Sequence, residues 1–295
     1  MTTPMKLPTN YNSVTLSDDI FEVPYPPLGF YPIAEHQLGN GDTFGCYWPI
    51  GEEDREPIVA ETYHDEWSIH PHFSSLDRFL SAAARADSAA DEDDSRVGSP
   101  TLEEDPQSPT ACLLAARQSL QSQDVETAIG YLKTAVSTLP EYREAQALLC
   151  TQFRRIGQND LAIKAAIQAI ISPPCFGGSP VQILQWLSRQ TSCPSEVAFD
   201  PIWENRERLT LKFGGVKENE TYMILRNSID RYLEVSAFVP ALTLMQTYAE
   251  LMYSETVSFQ ERYGFNAKTF TSWQREIAMT LYQKSRTLDL NRDSH

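Results

Sequence analysis

The chain has 295 residues, 41% of them hydrophobic, which is enough for two small soluble domains that each bury a core. No apolar run approaches the roughly 18 to 20 residues of a membrane-spanning helix. The first residues, MTTPMKLPTN, also lack the apolar stretch of a secretory signal, so a cytoplasmic chain without membrane contact is expected. The net charge of -16 sits at one end: residues 1 to 110 hold 5 Lys and Arg against 21 Asp and Glu, while residues 111 to 295 hold 19 of each. Electrostatic steering would therefore act from the N-terminal third and favour a basic protein surface; no direct nucleic-acid contact is expected.

The first 38 residues are rich in proline and aromatics, with PYPPLGFYP at Pro24 to Pro32, and read as extended or irregular chain. Gly39, Asn40, Gly41 and Asp42 form a turn signal, because Gly and Asn accept positive φ and Asp bonds nearby backbone. Thr43 to Trp48 and Pro57 to Thr62 then predict two strands of a hairpin across the acidic loop Gly51 to Glu56. Phe73 to Ala84 predicts a helix capped by Ser74 or Ser75, with Leu76, Phe79 and Leu80 on one face. Ala86 to Ser108 is acidic, poor in apolar residues and broken by Pro and Gly, which predicts a flexible linker.

From Pro109 to Pro174 a pattern repeats with a period of 34 residues: ETAIGYLKTAVSTLP from Glu126 matches DLAIKAAIQAIISPP from Asp160. Ala128, Ile129, Ala135 and Pro140 align with Ala162, Ile163, Ala169 and Pro174. Each copy predicts two helices whose small residues, including Cys112, Ala116 and Ala128, permit a close crossing. Gly157 fits the end of the second copy's first helix, and Gln123 holds that place in the first copy. Further helices are predicted at Val181 to Arg189, Glu218 to Val235, Pro240 to Tyr253 and Ala267 to Leu288, where they would cap the repeats.

The 34-residue period, with its paired alanines and closing proline, resembles the tetratricopeptide repeat over about residues 109 to 174, in degenerate form: Cys112 and Gln146 stand where an aromatic is usual. The N-terminal order of turn, aromatic strand, second strand and SSLDRFL helix resembles the SUKH (Smi/Knr-like) superfamily over about residues 7 to 84. The residues that carry it are Asn40, Gly41, Asp42, Gly45, Tyr47, Pro57, Ile58, Val59 and Ser74 to Leu80, with Leu7 to Tyr11 in the place of the entry motif. The expected fold class is α+β: a small mixed SUKH-like domain (1–85), an acidic linker (86–108) and an all-α TPR-like domain with capping helices (109–295).

The SUKH resemblance implies a binding fold without catalysis, common among bacterial immunity proteins that neutralise toxins, nucleases included. On that reading Glu52, Glu53, Asp54, Glu61, Asp65 and Glu66 oppose a basic toxin surface. The concave face of the repeats would add Leu113, Arg117, Leu120, Thr151, Arg154 and Arg155. The second reading is an adaptor or secretion chaperone whose repeats hold a client peptide; the Lys and Asn of a carboxylate clamp are absent from Thr110 to Gln121 and from Glu144 to Arg155. Catalysis, a metal and a cofactor are not expected. His64, His70 and His72 read as loop histidines rather than ligands, Cys112 and Cys150 as core thiols, and phosphate-loop, hydrolase and metalloprotease motifs are absent. The odd count of cysteines (Cys46, Cys112, Cys150, Cys175, Cys193) without a CxxC pair points to reduced thiols.

Overall fold

The computed structural model describes residues 10–17, 24–38, 40–63, 65–89, 97–210 and 220–292; the side chains of residues 10, 87–89 and 282–292 are not described. The expected entry motif before Asn10, Gly39, His64 and linker residues 90–96 thus fall outside the described residues. The chain divides into two compact units, Met1–Pro140 and Glu141–His295. The division falls between the two 34-residue copies, not at residue 109, where the domain boundary was expected.

In the first unit β1 (Asn10–Tyr11) pairs with β2 (Val14–Thr15). Four further strands, β3 (Phe30–Gln37), β4 (Thr43–Tyr47), β5 (Ile58–Tyr63) and β6 (Ser68–Phe73), form an antiparallel sheet in the order β3-β4-β5-β6. The expected hairpin is β4 with β5, in the register Tyr47 to Ile58 and Phe44 to Glu61. Neither outer strand was anticipated, because Pro32 and Pro71 interrupt their sequences. Both strands lie at sheet edges, where a residue without an N–H is tolerated. Phe44, Cys46, Val59 and Phe73 form one face of the core, and α1 (Leu76–Ala89) covers it with Leu76 and Phe79. Ser75 caps this helix, its Oγ accepting the Arg78 N–H at 3.3 Å. Each large apolar side chain buried there contributes about 1.5 to 3 kcal/mol.

Residues 97–108 run as a strap fastened to the sheet, which corrects the expectation of a flexible linker for that part. Asp105, 1% exposed, accepts the Ser74 N–H and hydroxyl, each at 2.7 Å. Arg78 donates to the Glu104 carbonyl at 2.8 Å. Ser108 caps α2 (Pro109–Gln121), accepting the Ala111 N–H at 3.0 Å while its hydroxyl donates to the His72 carbonyl. Thr110 donates to the Pro71 carbonyl at 2.8 Å, so α2 is held against β6. The hairpin of α2 and α3 (Val125–Thr138) consequently belongs to the sheet unit, with Cys112, Ala116, Ala128 and Ala135 buried at its crossing.

The second unit begins with the hairpin of α4 (Arg143–Arg155) and α5 (Asn159–Ile171), followed by α6 (Val181–Leu187) and α7 (Pro201–Glu204). Next come the hairpin of α8 (Thr221–Glu234) with α9 (Phe238–Tyr253), then α10 (Val257–Arg262) and α11 (Ala267–Arg292). α9 is the central helix, buried from Ala241 to Glu250 and packed by α5, α8 and α11. Its interior stripe Thr243, Gln246, Thr247 and Glu250 is polar and answered locally. Thr247 donates to the Ile171 carbonyl, and Glu250 accepts the Cys175 N–H and the Gln246 amide, both at 2.9 Å. Among the described residues no helix is long and apolar enough to cross a membrane.

The three hairpins share one turn. Gln123 N–H meets the Leu120 carbonyl and Asp124 N–H the Ser119 carbonyl; Gly157 and Gln158 repeat this with Arg154 and Phe153, and Ser236 and Ala237 with Leu233 and Tyr232. The pivots Gln123, Gly157 and Ser236 have φ of 62°, 74° and 58°. This paired closure of a helix C-terminus favours glycine, and only the second hairpin has it.

Candidate functional site

A buried polar constellation in the sheet unit starts from a slip in strand register. β5 and β6 pair as Ala60 to Pro71 on one side and Val59 to Phe73 on the other, which leaves His72 as the extra residue of a bulge. A bulge re-aims its side chains, and His72 here reaches Glu61, which faces the same side of the sheet as its cross-strand neighbour Phe44.

His72 Nε2 lies 3.1 Å from Glu61 Oε2, with the two residues 5% and 2% exposed. Tyr63 donates its hydroxyl to the same carboxylate oxygen at 3.0 Å. On the other ring edge, Nδ1 lies 2.8 Å from the hydroxyl of Ser99, an exposed residue of the strap. With Glu61 ionised and His72 neutral, the carboxylate accepts the Nε2–H and Nδ1 is left to accept the Ser99 O–H. Phe44 at 6.3 Å and Phe73 at 6.4 Å between ring centres wall the imidazole, and His70 stacks on it at 5.9 Å. The arrangement connects an exposed hydroxyl to a buried carboxylate through one imidazole.

The same unit holds a cavity of about 660 Å³ between the β4–β5 loop and α3, lined by Arg55, Glu56, Ser74, Gln107, Lys133 and Ser137 among others. Its size suits a small ligand, but Arg55 is already engaged by Glu52 at 3.1 Å and by the Ser137 carbonyl at 3.4 Å.

The expected acidic surface is split. Glu52, Glu53 and Asp54 lie on the β4–β5 loop, and Asp65 and Glu66 lie in the turn beyond the far end of β5. Six residues of strand, on the order of 20 Å, separate the groups. Glu61, between them, is not a surface residue: burial and its bonds to His72 and Tyr63 remove it from any docking face. Of the expected concave face, Leu113 is 3% exposed and so part of the core, Arg117 is exposed and Leu120 is half-buried. Thr151 and Arg155 are exposed on α4, in the second unit, and the Arg154 guanidinium lies 4.8 Å from the Trp186 ring centre. Among the described residues no three His, Cys, Asp or Glu side chains converge on a metal position. Burial pushes the thiols of Cys46 and Cys150 up to about 12 and that of Cys112 to about 11, which leaves them poor nucleophiles.

The profile of the YfbP N-terminal domain matches residues 16–95, and that of the YfbP C-terminal domain matches residues 212–289. The Escherichia coli K12 protein named "Uncharacterized protein YfbP" is 35% identical over 272 residues, which cover 92% of this chain and 94% of that protein. The chain belongs to the YfbP family. The YfbP N-terminal match takes in Glu61, Tyr63 and His72, while Ser99 and the first two helical hairpins lie between the two YfbP matches. Sequence reasoning passed over the Glu61–His72–Ser99 chain because its members come from a strand, a bulge and a strap and share no local motif.

Proposed function

We propose that this YfbP-family chain is a cytoplasmic protein-binding protein of the immunity type, which neutralises a bacterial toxin or effector domain by covering it. The SUKH-like sheet unit would supply the docking face, and its own hairpin of α2 and α3 would extend it. The observation that carries this reading is the one-sided charge, with Glu53, Asp54, Asp65 and Glu66 exposed on the sheet unit, which itself holds the acidic third of the sequence. Carboxylates on an exposed loop speed encounter with a basic surface and lose that effect with salt. Because the acidic groups lie at opposite ends of β5, the β4–β5 loop is taken as the contact and the far turn is not required.

The test is affinity capture from the native host with the full chain, at low and high salt, beside the double variant Glu53→Lys/Asp54→Lys. A basic toxin-like protein held by the native chain and lost from the variant is the expected result. A partner that binds the variant equally well, or no specific partner at either salt, rejects the reading. The adaptor alternative draws on the recurrent turn of the three hairpins. It predicts capture that survives the loop variant and is lost on changing Arg117 and Arg155.

A further inference from the structure

We propose that Ser99 is a nucleophile activated by His72 and Glu61, giving the sheet unit an acyl-transfer site for small carboxylic esters. Three observations converge. The Ser99 hydroxyl is within 2.8 Å of a ring nitrogen, the opposite ring nitrogen is 3.1 Å from a carboxylate, and that carboxylate is buried and further oriented by Tyr63. This is the order nucleophile, base, orienting acid, running from an exposed end to a buried one. The imidazole is used with Nδ1 toward the serine, opposite to the best-known serine triads, but the relay depends on one nitrogen accepting while the other donates, and that polarity is satisfied.

Gly98 precedes Ser99, and a Cβ placed on it would meet nothing within 4 Å, so the strap is uncrowded beside the serine. The N–H groups of Gly98 and Ser99 have no hydrogen-bond partner among the described residues, which leaves them available to an oxyanion. Asp105 and Ser108 fasten the strap further along, so the chain that carries Ser99 is anchored on its C-terminal side.

In the reaction, Ser99 Oγ bonds to the ester carbonyl carbon as its proton passes to His72 Nδ1, and Glu61 stabilises the imidazolium through Nε2–H. His72 then returns that proton to the departing alkoxide, leaving acyl-Ser99 and an alcohol. Water, deprotonated by the same nitrogen, bonds to the acyl carbon; the bond from that carbon to Oγ breaks, the Nδ1 proton returns to Oγ, and the carboxylic acid leaves. Each step conserves its proton and electron pair without an outside oxidant or cofactor.

The test uses the full chain and a fluorophosphonate probe, whose P–F bond breaks as Oγ–P forms, with the adduct located by peptide mass spectrometry. The native chain is expected to carry one adduct, on Ser99, and a chain denatured before the probe is added is expected to carry none. Ser99→Ala, a change at an exposed position, keeps the fold and carries no adduct there. His72→Gln slows labelling by about 100-fold or more, the usual worth of a general base. A folded native chain with no adduct at Ser99 overturns the proposal, as does a folded His72→Gln chain that labels at the native rate. Should His72→Gln not fold, the native and Ser99→Ala chains decide. Partner capture by Ser99→Ala is expected to be unchanged, so failure here is separable from failure of the binding reading.

Discussion

Replacing Glu250 by Gln should flatten the pH dependence of stability in the helical unit between about pH 4.5 and pH 7. Glu250 lies in the interior of α9, and burial raises its pKa from 4.5 to about 7 against the opposing pull of the Gln246 and Cys175 hydrogen bonds and the Arg143 charge. Arg143 is itself buried, which lowers its pKa to about 10, and its Nε has no hydrogen-bond partner among the described residues, so it offsets only part of the carboxylate's desolvation. With the folded pKa above the unfolded one, the native chain keeps a proton in this window that the unfolded chain has released. Stability therefore falls as pH rises from 4.5 and levels off above 7. A shift of that size amounts to ~3 kcal/mol across the window.

The variant is neutral at every pH, so this component disappears from it. Its absolute stability is a poor readout, because a glutamine turns one acceptor into a donor opposite either the Cys175 N–H or the Gln246 amide, at about 1 to 3 kcal/mol. The slope is the clean quantity. Hydrogen exchange of α9 amides, corrected for the intrinsic rate at each pH, would measure it in both proteins. Asp200, whose pKa burial also raises, adds a slope of the same sign to both and cancels in the difference. A variant with the native slope, or native α9 protection that rises from pH 5 to pH 7, would refute the reasoning.

Two further outcomes are expected. Gln123→Gly should raise the unfolding midpoint of the sheet unit by the equivalent of about 1 kcal/mol, since Gln123 holds a left-handed φ of 62° where the second hairpin has Gly157; thermal denaturation checks it, and a lowered midpoint would contradict the shared-turn interpretation. Asp105→Ala should cost about 1 to 3 kcal/mol and open residues 97–108 to proteases, because the Ser74 N–H and hydroxyl lose their acceptor; unchanged resistance would mean that the strap is held by its other contacts.

Much of the helical architecture was legible in the sequence, because a helix hydrogen-bonds within itself and its apolar spacing of three and four is written locally. The predicted spans at Val181, Glu218, Pro240 and Ala267 became α6, α8, α9 and α11 with ends shifted by a few residues. The hairpin of β4 and β5 was readable because both strands are rich in aromatic and β-branched residues and are close in sequence. Strands β3 and β6 were not, since what permits Pro32 and Pro71 is their place at the sheet edges, and only strand order decides which strand is an edge.

The candidate site shows the same division more sharply. The sequence determined that an acidic N-terminal third joins a helical region with a 34-residue period. It had no means of telling Glu61 from its acidic neighbours, because all are carboxylates in one short stretch; the direction each one faces follows from strand pairing. Tertiary structure alone decided that a bulge turns His72 toward Glu61, that the acidic strap returns to set Ser99 on its other ring edge, and that the first 34-residue copy is fastened to the sheet. Each depends on residues 11 to 39 positions apart meeting in space, and local propensity carries no record of such meetings.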